Sequence, residues 1–153
     1  MFLQAPPAEA RPAPTVTLRA QYDWGYVGAD GEGKGVLSML LRSSDQRLVL
    51  EVHGVGERLV FLEGSASEGY RLQIPRRKVD RREAGLQSLQ IPYLPPQLGS
   101  VEALARLVEK GEAPGVKVMT SDALGPRKLK YQGKDEDGND VMVWLTRKKL
   151  ERE

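Results

Sequence analysis

Between Gly33 and Ile74, four strand-length apolar runs, GKGVLSMLLR, QRLVLEVHG, ERLVFLEG and YRLQI, are separated by short segments rich in Gly, Ser, Asp and Glu. That spacing predicts an antiparallel meander. Upstream, Thr15 to Val27 places Val16, Leu18, Ala20, Tyr22, Trp24 and Tyr26 on one face, with Thr17, Arg19, Gln21 and Asp23 on the other. Period-two alternation of this kind predicts a long half-buried strand, followed by a turn at Gly28–Gly33. Gly35 to Arg42, containing Met39 and Leu41, is the next strand. Then Leu48, Leu50 and Val52 alternate with Val49, Glu51 and His53, and Leu59, Phe61 and Glu63 with Val60 and Leu62. Both faces are rich in apolar residues, so the sheet is expected to be covered on both sides or to enclose a cavity. Pro75 ends the series, because proline cannot donate to a ladder.

The pattern then changes. Arg76, Arg77, Lys78, Arg81 and Arg82 are interleaved with Asp80 and Glu83. With no aromatic platform beside them, they read as a solvated connection or short helical turn rather than as a phosphate-binding patch. Leu86 to Ile91 suits a short strand, and Pro92, Pro95 and Pro96 exclude regular structure after it. One helix is predicted from an N-cap at Ser100 to Gly111 just past its end. Val101, Leu104, Ala105 and Val108 recur at helical spacing along it. Val116–Thr120 reads as a strand. Lys128–Gln132 and Val141–Arg147 read as a hairpin around KDEDGND, and the KKLERE tail is expected to fray. The fold class is therefore mainly β with one or two short helices. The acidic hairpin loop has the composition of a calcium loop without its ligand spacing, so no metal site is expected there.

Composition sharpens this picture only in places. At 153 residues the chain is long enough for one domain with a real core, assigned to residues 15–150. Four of the ten prolines fall in MFLQAPPAEARPAP, so residues 1–14 are expected to form a flexible tether. That leader has no basic stretch followed by a long apolar stretch. Two readings stay open, a cytoplasmic protein or a mature chain from which an export signal has been cut; a Pro/Ala-rich segment of this kind, as expected between an anchor and its domain, tilts modestly to the second. A net charge of +2 implies no general attraction to nucleic acid. The absence of Cys excludes disulfide and thiolate chemistry.

His53 is the single imidazole. It lies beside Gly54 at a strand end, with no partner at catalytic spacing, and reads as a turn residue. No phosphate loop, dinucleotide fingerprint or nucleophile elbow is present. The expectation is a non-enzyme without cofactor.

The order of the pieces resembles a known family. The segment LVLEVHGVGERLVFLEG resembles the strand, tight Gly-rich loop and strand of LolB, the outer-membrane lipoprotein receptor family of the Lol sorting pathway. IPYLPPQLGSVEALARLVEKGEAPG resembles that family's proline-containing segment, short helix and G-x-P-G turn. LKYQGKDEDGNDVMVWL is compatible with its last strands. The likeness spans about residues 16 to 147 in short pieces.

That resemblance implies an unclosed antiparallel β half-barrel with helix covering its concave face. It further implies a periplasm-facing lipoprotein of the outer membrane that accepts acylated lipoproteins from a LolA-type carrier and helps insert them. In the hydrophobic ligand cavity the candidates are Trp24, Met39, Leu41, Leu48, Leu50, Phe61, Leu104 and Trp144. For the membrane-contact loop they are Gly54, Val55 and Gly56, with Val55 at the tip; no nucleic acid is expected as partner. This chain has Gly54 where the family usually carries Pro and Val55 where it usually carries Leu, and it lacks the lipid-bearing Cys. The alternative expectation is a non-catalytic interaction or structural domain of an envelope complex with the same fold.

Overall fold

Alternation builds strands along most of the chain. The computed structural model describes residues 16–29, 31–86, 100–135 and 137–153, and among them nine strands join one antiparallel sheet. These are β1 (Thr17–Gly28), β2 (Gly31–Arg42), β3 (Arg47–Gly54), β4 (Glu57–Ser65), β5 (Gly69–Ile74), β6 (Val79–Glu83), β7 (Val116–Asp122), β8 (Gly125–Lys134) and β9 (Asp140–Arg152). Helix α1 (Val101–Lys110) lies between β6 and β7 in the chain. Across the sheet the order is β6-β5-β4-β3-β2-β1-β9-β8-β7. Two meanders thus meet where β9 pairs with β1, and the sheet is not closed: it is a mainly-β half-barrel with one short helix.

Cross-strand register stacks the apolar positions of one face into rows. Leu18, Leu41 and Leu48 form one; Ala20, Met39, Leu50, Leu62 and Leu72 form the next; Tyr22, Leu37, Val52 and Val60 form a third. Residues of α1 join the same buried cluster. Curvature comes from bulges, which bend and twist the strand that carries the extra residue. Leu59 is the extra residue of β4 opposite the Val52/His53 step, which is why adjacent Leu59 and Val60 are both buried. Lys148 plays the same part in β9 opposite Gln21/Tyr22.

The helix begins and ends where its sequence dictates. The Ser100 Oγ accepts a hydrogen bond from the Ala103 N–H at 3.0 Å, satisfying one of the unpaired donors of the first turn. Gly111 follows the last turn in the left-handed region at φ 68°. A side chain there would also collide with Val118 and Leu129. Val101, Leu104, Leu107 and Val108 point into the core.

Several expectations are corrected. Pairing, not periodicity, makes β6 a strand: its charged residues line an edge and are held to β5, as in the two-pronged Arg71–Asp80 contact at 3.0 and 2.8 Å. The basic segment is therefore a 3-10 turn (Pro75–Arg77) followed by that strand. The C-terminal tail does not fray. It completes β9 against β1, and Thr17 and Glu153 exchange backbone hydrogen bonds at 2.9 and 3.0 Å. The second strand starts at Gly31, so the preceding turn is tighter than Gly28–Gly33. Val16 lies outside β1 and is exposed. Only one face of the sheet is sealed; on the other, Leu40, Val49 and Phe61 are half-buried among charged neighbours. The tether over residues 1–14 and nearly all of the Leu86–Ile91 strand fall outside the described residues.

Candidate functional site

The face covered by α1 brings six of the eight predicted cavity residues together. Trp24, Met39, Leu41, Leu48, Leu50 and Leu104 are 0 to 4% exposed and belong to one packed cluster. Trp24 is oriented as well as buried. Its Nε1–H donates to the His53 carbonyl at 3.0 Å, and it packs over Gly33 and Gly35 of the neighbouring strand. This fastens the end of β3 to the middle of the sheet.

Phe61 and Trp144 do not belong to this face. Phe61 follows Val60 and precedes Leu62, both buried inward, and is paired in register with Glu51 and Gln73. The Arg58 guanidinium sits 4.8 Å from the centre of its ring, a cation–π contact. Trp144 stands between inward-facing Val143 and Leu145 and packs instead on Gly25. Both strands are apolar on two faces, and only the register decides which residues turn inward.

α1 is held over the inner face by polar contacts at both ends. At its start, the Gln46 amide donates to the Glu102 carboxylate at 2.5 Å. The Tyr70 hydroxyl donates to the Gln46 carbonyl at 2.6 Å. Burial and the nearby Glu102 and Asp45 charges raise the Tyr70 pKa. At its other end, Glu109 pairs with Arg152 at 3.2 Å. The Gln46–Glu102 and Glu109–Arg152 contacts are exposed and of the kind worth about 0–1 kcal/mol each, while the Tyr70 bond is partly buried. What holds the helix down is its apolar stripe.

Val55 and Gly56 form the two-residue turn between Gly54 and Glu57, with Gly56 at φ 78°. Val55 is 83% exposed. The turn does not mark the far end of the sheet. β2 pairs with β3 only from Val36 to Arg42, yet with β1 out to Gly31. The β1–β2 hairpin therefore runs about five residues, roughly 16 Å of strand, beyond the last β2–β3 pair and so reaches past the turn by about three of them.

Polar groups cluster elsewhere. His53 Nε2 lies 2.9 Å from the Glu51 carboxylate, which also faces Arg58 at 3.7 Å. The third member of that group is thus a cation rather than a nucleophile. Arg147 is buried inward, where it donates to the Pro126 carbonyl at 2.6 Å and to both oxygens of Asp122. That hydrogen bonding, with a further bond from the Leu124 N–H, holds the Asp122 carboxyl below its usual range. Burial pushes the Tyr22 hydroxyl up to about 12, and among the described residues it has no hydrogen-bond partner. No group of three or more His, Asp or Glu among the described residues is arranged to hold a metal ion.

A groove of about 320 Å³ was not anticipated from the sequence. It lies on the outer face, over Leu40 and Val49, with Gln21, Ser38, Glu51 and Lys149 around it. Its signal was the half-buried partner set of the core residues, visible once register fixes which alternate positions face outward. Compared with known proteins, the chain matches no family model and no curated protein.

Proposed function

We propose that this chain is an acyl-chain-binding domain of the cell envelope, accepting lipoproteins and helping to insert them in the outer membrane, with α1 as the displaceable cover of its binding face. One observation carries the reading: the inner face is a continuous apolar surface across many strands, and its described helical cover is ten residues long. Lifting that helix exposes Val101, Leu104, Leu107 and Val108, at a cost of about 1.5–3 kcal/mol each, or roughly 6–12 kcal/mol together. A buried chain of about fifteen methylenes returns roughly 12 kcal/mol at about 0.8 kcal/mol per CH₂. The exchange is nearly balanced, which suits a domain that must both take up and release its cargo. Val55 adds an exposed apolar contact worth about 1.5–3 kcal/mol if it enters lipid, enough to bias encounter with a membrane but not to anchor. The resemblance to the LolB family supports the same assignment.

A second reading follows from the packing as it stands. The inner face is filled by the protein's own side chains, which favours a static interaction or structural domain of an envelope complex. The two readings separate in one experiment: mass spectrometry of lipid co-purified with the protein, together with fluorescence of an added apolar probe. Acyl-chain binding predicts bound lipid or saturable probe binding. A protein free of lipid that leaves the probe dark is the static domain.

A further inference from the structure

The outer face carries charge that the structure does not neutralise. Register aligns Lys34 of β2, Gly25 of β1, Trp144 of β9, Lys130 of β8 and Lys117 of β7 in one row across five adjacent strands. At about 4.8 Å between strands, the row runs roughly 19 Å around the outside of the half-barrel. Lys128 stands in the next row, opposite Thr120 and Thr146. Trp144 is half-buried, seated on Gly25, where an added Cβ would lie 3.7 Å from the indole Cε3.

Elsewhere on this face Arg82 and Lys149 form no ion pair among the described residues, but other cations are paired with acids: Arg71 with Asp80 at 2.8 Å, Arg58 with Glu51 at 3.7 Å, Arg47 with Glu63 at 3.9 Å. Around Trp144 they are not. Among the described residues, Lys34, Lys117, Lys128 and Lys130 form no ion pair. Asp23 and Asp140 are already held by Lys148 at 3.3 Å and Lys134 at 2.5 Å. Glu32, two residues from Lys34 in the same strand, does not pair with it. Lys117 and Lys130 face each other directly across the β7–β8 pair, an arrangement that destabilises a sheet.

We infer that this row is a binding site for an acidic polysaccharide. The indole offers an apolar face to the C–H side of a sugar ring. Gln132 and Thr146, on the same outward face, offer hydrogen bonds to hydroxyl groups, and the four lysines meet carboxylate, sulfate or phosphate groups along the polymer. A row curving around a barrel can be followed by a flexible chain, whereas a flat bilayer touches only part of it. A single indole also favours a sugar polymer over single-stranded nucleic acid, which is held by successive bases stacked on a series of aromatic platforms.

The test is titration of the protein with sodium polygalacturonate, followed by fluorescence of Trp144 in a Trp24→Phe background, with neutral dextran and oligothymidylate as comparisons. Polygalacturonate is expected to bind, more weakly as ionic strength rises. Lys117→Gln/Lys130→Gln is expected to lose about tenfold in affinity while its melting temperature stays level or rises, since a like-charge pair has been removed. Arg82→Gln, on the same face but at the opposite edge of the sheet, is expected to bind as the parent does. Equal binding of dextran, tighter binding of oligothymidylate, unaltered affinity in the double lysine variant, or no binding of polygalacturonate would each overturn the assignment.

Discussion

Gly35→Ala puts a methyl group where the end of β3 closes against β2. The new carbon would stand 1.7 Å from the His53 carbonyl oxygen, 2.7 Å from the carbonyl carbon and 2.9 Å from Trp24 Nε1. Two of these are backbone atoms that cannot swing aside, so either the strands part or Trp24 leaves its place. Overpacking of this kind typically costs about 1–3 kcal/mol. Loss of the Trp24–His53 hydrogen bond, 3.0 Å long in the parent, adds about 1 kcal/mol. The expected destabilisation is therefore about 2–4 kcal/mol. Gly33→Ala is the built-in control. It lies two residues away on the same face, but its nearest atoms are Trp24 ring carbons at 3.5 and 3.6 Å. That is ordinary contact, and the change should stay within about 0.5 kcal/mol of the parent. Urea unfolding followed by tryptophan emission in a Trp144→Phe background measures both. If Gly35→Ala unfolds at the same midpoint as Gly33→Ala, with unshifted Trp24 emission, the lock is not there.

Further outcomes follow from single side chains. Because Arg147 holds the Asp122 carboxyl below its usual range, that pair stabilises the fold above the ordinary carboxylate pKa and stops doing so as pH falls through the folded value. Asp122→Asn should lower the melting temperature at neutral pH and flatten its acid limb; an unchanged profile would refute the coupling. Tyr22→Phe removes a buried hydroxyl without a partner among the described residues, and should be neutral or stabilising by up to about 1 kcal/mol. The parent should lose stability as pH rises from 10.0 towards 12, because the unfolded chain ionises first, and the Phe variant should show less of this loss. Val55→Glu, at an exposed turn, should melt within about 0.5 kcal/mol of the parent yet deliver lipoproteins poorly; parent-level sorting would remove the loop from the mechanism.

The meander and the helix were legible because their signals are local. Leu48, Leu50 and Val52 announce a strand by themselves, and Ser100 and Gly111 mark a helix by the chemistry of its ends. β6 was not legible, since nothing within Val79–Glu83 is apolar enough to mark a strand; β5 makes it one by pairing. The same holds for the tail, whose polar residues gain regular structure from β1. Facing was the other limit. Phe61 and Trp144 sit in strands apolar on both sides, and their direction depends on neighbours distant in sequence. The lysine row is invisible in one dimension, because Lys34 and Lys130 come together only when β9 closes against β1.

The central claim is that α1 gives way to an acyl chain. The chain contains no Cys, and the long side chains of Gln46 and Glu102 meet tip to tip at 2.5 Å; Gln46→Cys/Glu102→Cys, joined through disulfides to a short bis-methanethiosulfonate spacer that makes up the length of the two lost side chains, therefore places a removable clamp on the start of the helix. Binding of a fluorescent fatty acid should then be measured with the pair bridged and again after reduction. Saturable binding is expected in the reduced protein, with at least a tenfold loss when the clamp is closed, about 1.4 kcal/mol or more. Equal binding in both states, or none after reduction, would contradict it.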